Sequence, residues 1–101
     1  MKDYNLYQVS KILQETNINN VQIRRHVLDN YFDRNYTLED IENSFNNKIP
    51  VSITKENYDK FKILYEFKEN EDLCIIISVS DYEDVEIITV YLENKNKRVR
   101  P

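Results

Sequence analysis

Glycine is absent from all 101 residues of this chain, and that gap excludes whole classes of function. Dinucleotide-binding loops and P-loops both need glycine where the backbone closes on a phosphate, so neither can form here. Turns fall instead to the plentiful Asn and Asp residues, which also tolerate positive φ. Cysteine is almost as scarce. The one thiol, Cys74, sits in the apolar stretch 73–77, so an intrachain disulfide and a cysteine zinc site are both ruled out, and it reads as a small buried hydrophobe. Tryptophan is missing and proline occurs twice. No apolar run approaches the ~20 residues of a membrane span. The opening MKDYNLYQ balances one Lys with one Asp and has two tyrosines where a secretory signal needs a basic start and an apolar stretch, so the expectation is a cytoplasmic protein with no membrane partner.

What is present suits one folded unit, expected to span residues 1–101. Hydrophobic residues make up 41% and charged residues 32%, enough apolar material for one modest core. Net charge is −4, which on its face argues against nucleic acid. The distribution is uneven, however. Lys95, Lys97, Arg98 and Arg100 form a tail without acidic side chains, while Glu69, Glu71 and Asp72, then Asp81, Glu83 and Asp84, gather in two predicted turns.

Hydrophobic spacing predicts three helices and then a sheet. Leu6, Val9, Ile12 and Leu13 form a stripe on a helix at 5–16. Ile23, Val27 and Tyr31 do so at 20–34, and Leu38, Ile41 and Phe45 at 38–47. Thr37 with Asp40 three residues on stands where a capping box belongs. From Ile49 the period changes to two, giving strands near 49–54, 60–67, 73–79 and 85–92. In the last, Val85, Ile87, Thr89 and Tyr91 are assigned to one face and Glu86, Ile88, Val90 and Leu92 to the other. Short polar links make the four an antiparallel meander with 73–79 internal. The expected class is α+β, three N-terminal helices packed on a four-stranded antiparallel sheet.

The order His26, Arg34, Thr37, Asp40, Ile41, followed by the strand Ile88, Thr89, Val90, Tyr91 and then the basic tail, resembles a family of small His/Arg domains grouped with RelE-type and BrnT-type ribonuclease toxins. The resemblance covers roughly residues 21–100. It departs from the pattern at Asn35, where the family usually has glycine. It implies a RelE/barnase-like architecture and a metal-independent, toxin-like endoribonuclease acting through 2′-OH attack on RNA, with an antitoxin protein as a further partner.

His26 is the one side chain whose unperturbed proton exchange lies near neutrality, so it is the candidate acid or base. Arg34 is the candidate phosphate clamp, since a planar guanidinium meets two phosphate oxygens at once. Tyr91 is a candidate for base stacking or as a second proton donor. Arg25, Thr89, Lys97, Arg98 and Arg100 complete the substrate-binding set. No cofactor is expected. A metal site is not expected either, because one histidine lacks a patterned set of carboxylates and Asp29 with Asp33 reads as a solvated face.

Each of these residues also has a plain structural reading. A helical histidine commonly packs with one nitrogen bonded, Arg34 suits a helix C-terminus, and Thr89 and Tyr91 are good strand formers. Three functions therefore stand side by side: the ribonuclease, a catalytically dead relative that binds RNA or protein, and a protein-binding module or inhibitor that uses its acidic turns. They are separated by whether His26, Arg34 and the Arg98 region share one concave surface.

Overall fold

The computed structural model describes residues 2–30 and 35–98. Helix α1 spans Leu6–Glu15. Its N-cap Asn5 accepts from the Gln8 backbone N–H while the Gln8 side chain accepts from Asn5 N–H, so two otherwise orphaned donors are satisfied reciprocally. Helix α3, Leu38–Asn47, starts the same way: Asp40 takes the place of the usual Glu or Gln and completes a capping box with Thr37. Both helices turn their apolar stripes onto the sheet, with Val9 and Ile41 fully buried.

The segment expected as one helix at 20–34 is built differently over 20–30, and its remainder, 31–34, lies outside the described residues. A 3-10 turn, Ile18–Asn20, leads into a two-residue strand β1, Gln22–Ile23, and a short helix α2, Arg25–Asn30. The Asn17 side chain caps the turn at Asn19 N–H. Val21 and Ile23 then alternate against the core at a period of two. Gln22 and Ile23 gain backbone partners by lying along a neighbouring strand, and Arg24 N–H continues that pairing to the Ile87 carbonyl.

The sheet therefore has five strands and is mixed, correcting the expected four-stranded antiparallel sheet under three N-terminal helices. Its order is β1-β5-β4-β3-β2, with β2 Ser52–Lys55, β3 Lys60–Lys68, β4 Glu71–Val79 and β5 Val85–Asn94. The pairs β2–β3, β3–β4 and β4–β5 are antiparallel, and β1 adds in parallel to β5. The general class remains α+β. Strand β4 is the middle strand, buried along nearly its whole length.

A bulge in β5 changes which side chains share a face. Ile76 pairs with Thr89 while Ile77 pairs with Ile87, so Ile88 is the extra residue. Past it the alternation changes phase. Val85 and Ile87 before the bulge, and Val90 and Leu92 after it, all join the helix-side core, whereas Thr89 and Tyr91 lie opposite Ile76 and Cys74 on the other face. That second face is not bare, since Leu64, Cys74 and Ile88 are buried there outside the main core cluster. Among the described residues no helix is long and apolar enough to cross a membrane.

Candidate functional site

The sequence-predicted site residues fall at two ends of β5. His26 is the second residue of α2 and exposed, next to buried Val27. Arg25 pairs with Asp29 one turn on, Nε to Oδ2 3.3 Å, and Arg24 with Glu86, Nε to Oε1 3.4 Å. Arg24 is thereby held beside Glu86 and Ile87. Arg98 is held beside Asp72, which lies opposite Glu93, seven positions further along β5 and roughly 20 Å away at the usual rise. Lys97 is exposed in the 3-10 turn Lys95–Lys97. Thr89 and Tyr91 stand between these ends on the far face. Among the described residues no hydrogen bond or ion pair joins His26 to Tyr91, Lys97 or Arg98. Arg34 and Arg100 lie outside the described residues.

The basic tail has a structural employment that its composition hides. Strand register sets Glu66, Asp72 and Glu93 side by side across β3, β4 and β5, a row of three carboxylates on one face. Like charges in such positions repel unless they are neutralised. Arg98 closes a fork on Asp72, which is 0% exposed, with Nε to Oδ2 at 2.6 Å and Nη2 to Oδ1 at 2.5 Å, and also reaches Glu66 at 3.0 Å. Lys95 pairs with Glu66, and Lys62 Nζ donates to Glu93 Oε1 at 2.7 Å.

The protonation equilibria record the same network. Hydrogen bonds to Asp72 and then Glu66 raise Arg98, and Lys95 followed by Arg98 lowers Glu66. The Arg98 guanidinium is thus committed to carboxylates rather than open to a phosphate. Tyr91, whose ring lies 6.0 Å from Lys62 Nζ, is pushed up to about 12 by burial and then by the Cys74 thiol, which suits it poorly to donating a proton near neutrality. Burial pushes Cys74 up to about 11, which keeps the thiol protonated and inert at neutral pH. Among the described residues no group of three or more His, Cys, Asp or Glu side chains is arranged to hold a metal ion.

The opposite end of the sheet carries one of the two acidic turns expected from the sequence, and its bracing and its exposed Tyr82 are what the sequence reading did not single out. The β4–β5 turn is cross-braced: Ser80 Oγ accepts from Tyr82 and Asp84 N–H at 3.2 and 3.1 Å, and Glu83 N–H donates to the Ser80 carbonyl at 3.0 Å. The Tyr4 hydroxyl also donates to that carbonyl, at 2.6 Å, and Lys2 N–H donates to Asp81 at 2.8 Å. Glu83 takes φ 65°, the only left-handed position among the described residues, in a chain with no glycine to place there. The result is a pinned turn from which Tyr82 projects at 87% exposure between Asp81 and Glu83. A cleft of about 520 Å³ beside it includes Asp59, Asp84 and Glu86. The signal available in the sequence was an aromatic residue set inside an acidic run, S-D-Y-E-D.

Comparison with curated proteins and with solved structures gave no match. A family model matches residues 7–77, from α1 into β4 and more than half of the chain. On that match, the chain belongs to the MJ0788 family.

Proposed function

We propose that this protein is a non-catalytic protein-binding module that docks on a basic partner surface through the acidic turn at 80–84. The observation that carries this reading is Tyr82, almost fully exposed on a turn held by five hydrogen bonds from Lys2, Tyr4, Tyr82, Glu83 and Asp84. A rigid aromatic anchor loses little conformational freedom on binding, and tyrosines of this kind dominate interface energetics. The left-handed Glu83 supports the same view, because backbone strain at a non-glycine residue concentrates at functional segments. Asp81, Glu83 and Asp84 would steer a cationic partner by long-range attraction.

A metal-independent endoribonuclease is the second reading. It is favoured by His26, which stands exposed beside Arg25. It has lost Arg98 as a free phosphate ligand. One experiment addresses both. Binding to an array of basic peptides is measured at low and physiological salt for the native chain and Tyr82→Ala, beside RNA incubated with the protein in EDTA. Salt-sensitive binding that falls at least ~10-fold in Tyr82→Ala supports the binding module. Binding indifferent to Tyr82→Ala refutes it, and RNA cleavage lost in His26→Ala would establish the ribonuclease instead.

A further inference from the structure

Strand β2 ends the sheet order, so its outer edge has no partner strand among the described residues. The Glu56 N–H to Lys60 carbonyl bond, 2.9 Å, continues the ladder in which Thr54 faces Lys62, and alternation then turns the N–H and C=O of Ile53 and Lys55 outward. Such an edge is commonly guarded by a projecting lysine or by a proline within the strand. Neither guard stands here. Lys55 is drawn back onto the start of α1, pairing with Asp3 and donating to the Tyr4 carbonyl at 2.8 Å, and Pro50 precedes the strand.

The surface beside that edge is apolar. Helix α1 runs alongside β2, its first turn tied to Lys55 and its last turn beside Ile49 and Pro50. One flank of the helix, Gln8, Lys11 and Glu15, lies on the side of Glu83, and the other, Ser10 and Gln14, on the side of residues 49–50. At about 100° per residue Leu6 and Tyr7 belong to this second flank. Four of the seven large apolar side chains exposed among the described residues therefore gather here: Leu6, Tyr7 at 75%, Ile49 at 90% and Val51. The charges at the two ends of the strand have opposite sign. Lys48 precedes it and keeps its positive charge while donating to the Glu66 carbonyl, and Glu56 follows it, exposed and without an ion pair among the described residues. A two-fold axis through Ile53 would run two such strands antiparallel, bring each Lys48 toward the Glu56 end of the other copy, and set Lys55 against Val51 rather than against its own like charge. The edge is thus complementary to itself. Covering the four apolar side chains removes on the order of 400 Å² from each copy, and the paired backbones and flanking polar groups carry the total past the ~1,000 Å² that a specific interface needs.

We propose that two copies of this chain pair antiparallel through β2, joining their sheets across a two-fold axis with Leu6, Tyr7, Ile49 and Val51 at the seam. Sedimentation equilibrium from about 5 to about 500 µM, the range in which small interfaces dissociate, should show the mass rising from 12.3 kDa toward twice that value. Amide exchange followed by NMR should slow with concentration at Ile53 and Lys55 and stay constant at Thr54, which is already bonded to β3. Lys48→Glu should weaken the dimer at least ~10-fold by repulsion from Glu56, and Lys48→Glu/Glu56→Lys should restore it. Ile49→Glu should weaken it as well, whereas Leu28→Glu, on α2 beside the opposite edge of the sheet, should leave it unchanged. Circular dichroism at low concentration verifies that each variant is folded. None of these changes touches the turn at 80–84, so the outcome is independent of the function proposed above. A single 12.3 kDa species across the whole range, Ile53 and Lys55 amides indifferent to concentration, no recovery in the charge-swapped chain, or a dimer that Leu28→Glu breaks and Ile49→Glu does not would each overturn the proposal.

Discussion

Replacing Lys62 by methionine tests the carboxylate row at its most revealing point. The Glu93 side chain is 10% exposed and that of Lys62 21%, and Glu93 Oε2 is buried without a hydrogen-bond partner. Lys62→Met keeps the aliphatic stem near the Tyr91 ring but leaves the carboxylate with neither oxygen bonded. Stranding a fully buried charge costs about 3–5 kcal/mol, and partial access of water at Lys62 reduces that to about 2–4 kcal/mol. For a domain of this size the melting temperature should fall by roughly 10–25 °C. The double variant Lys62→Met/Glu93→Leu removes both charges and should return to within about 1 kcal/mol of the native chain, since the pair itself contributes little net stability. Urea denaturation followed by circular dichroism measures all three. A single variant within about 0.5 kcal/mol of the native chain, or a double variant no better than the single, would refute the reasoning. The alkaline limb offers a second check. Burial alone would lower Lys62, but the Glu93 hydrogen bond, then Tyr91 and Cys74, raise it overall. Its stabilisation is complete below the unfolded lysine value near ~10.4 and is lost as pH rises through the folded value, and Lys62→Met should lack that part of the loss.

At the acid end, Glu66 is lowered by Lys95 and then Arg98, and Asp81 by the Lys2 backbone N–H. Groups lowered by folding stabilise above their ordinary values near ~4 and lose that contribution as pH falls through the folded ones, so melting temperature should drop below pH ~4 and Glu66→Gln should flatten the drop. Cys74→Ser should cost about 1–3 kcal/mol, toward the lower end because Tyr91 lies directly opposite as a partner for the new hydroxyl; an unchanged denaturation midpoint would count against a buried thiol. The same variant should lose stability later on the alkaline side, because a thiol raised to about 11 favours the folded state only while the unfolded thiol also stays protonated.

The helices with strong local chemistry were readable in advance. The stripe of Leu6, Val9, Ile12 and Leu13 marks α1, Thr37 and Asp40 start α3, and the period of two after Ile49 marks the antiparallel strands of the meander. What escaped depends on partners far away in the chain. Val21, Gln22 and Ile23 look helical beside Val27, but Gln22 and Ile23 are extended because the edge of β5 supplies backbone partners. Nothing local announces the extra residue at Ile88, yet it reverses the assigned faces of Val90 and Tyr91. The carboxylate row exists only through register, so the basic tail was read as a phosphate ligand when Arg98 and Lys95 are its counter-charges. Arg34, on which the histidine mechanism leaned most, falls outside the described residues.

The parallel pairing of β1 with β5 also bears on the order of assembly. Gln22 lies opposite Glu86, with more than half of the chain between them, whereas each antiparallel pair of the meander joins neighbouring strands across a short connection. Closing the long loop forfeits more chain entropy before any contact rewards it, so hairpins come early and β1 docks late. With two residues of pairing to hold it, β1 is also the first part of the sheet to detach in the native state, which places its amides at the fast end of hydrogen exchange and periodically uncovers the edge of β5.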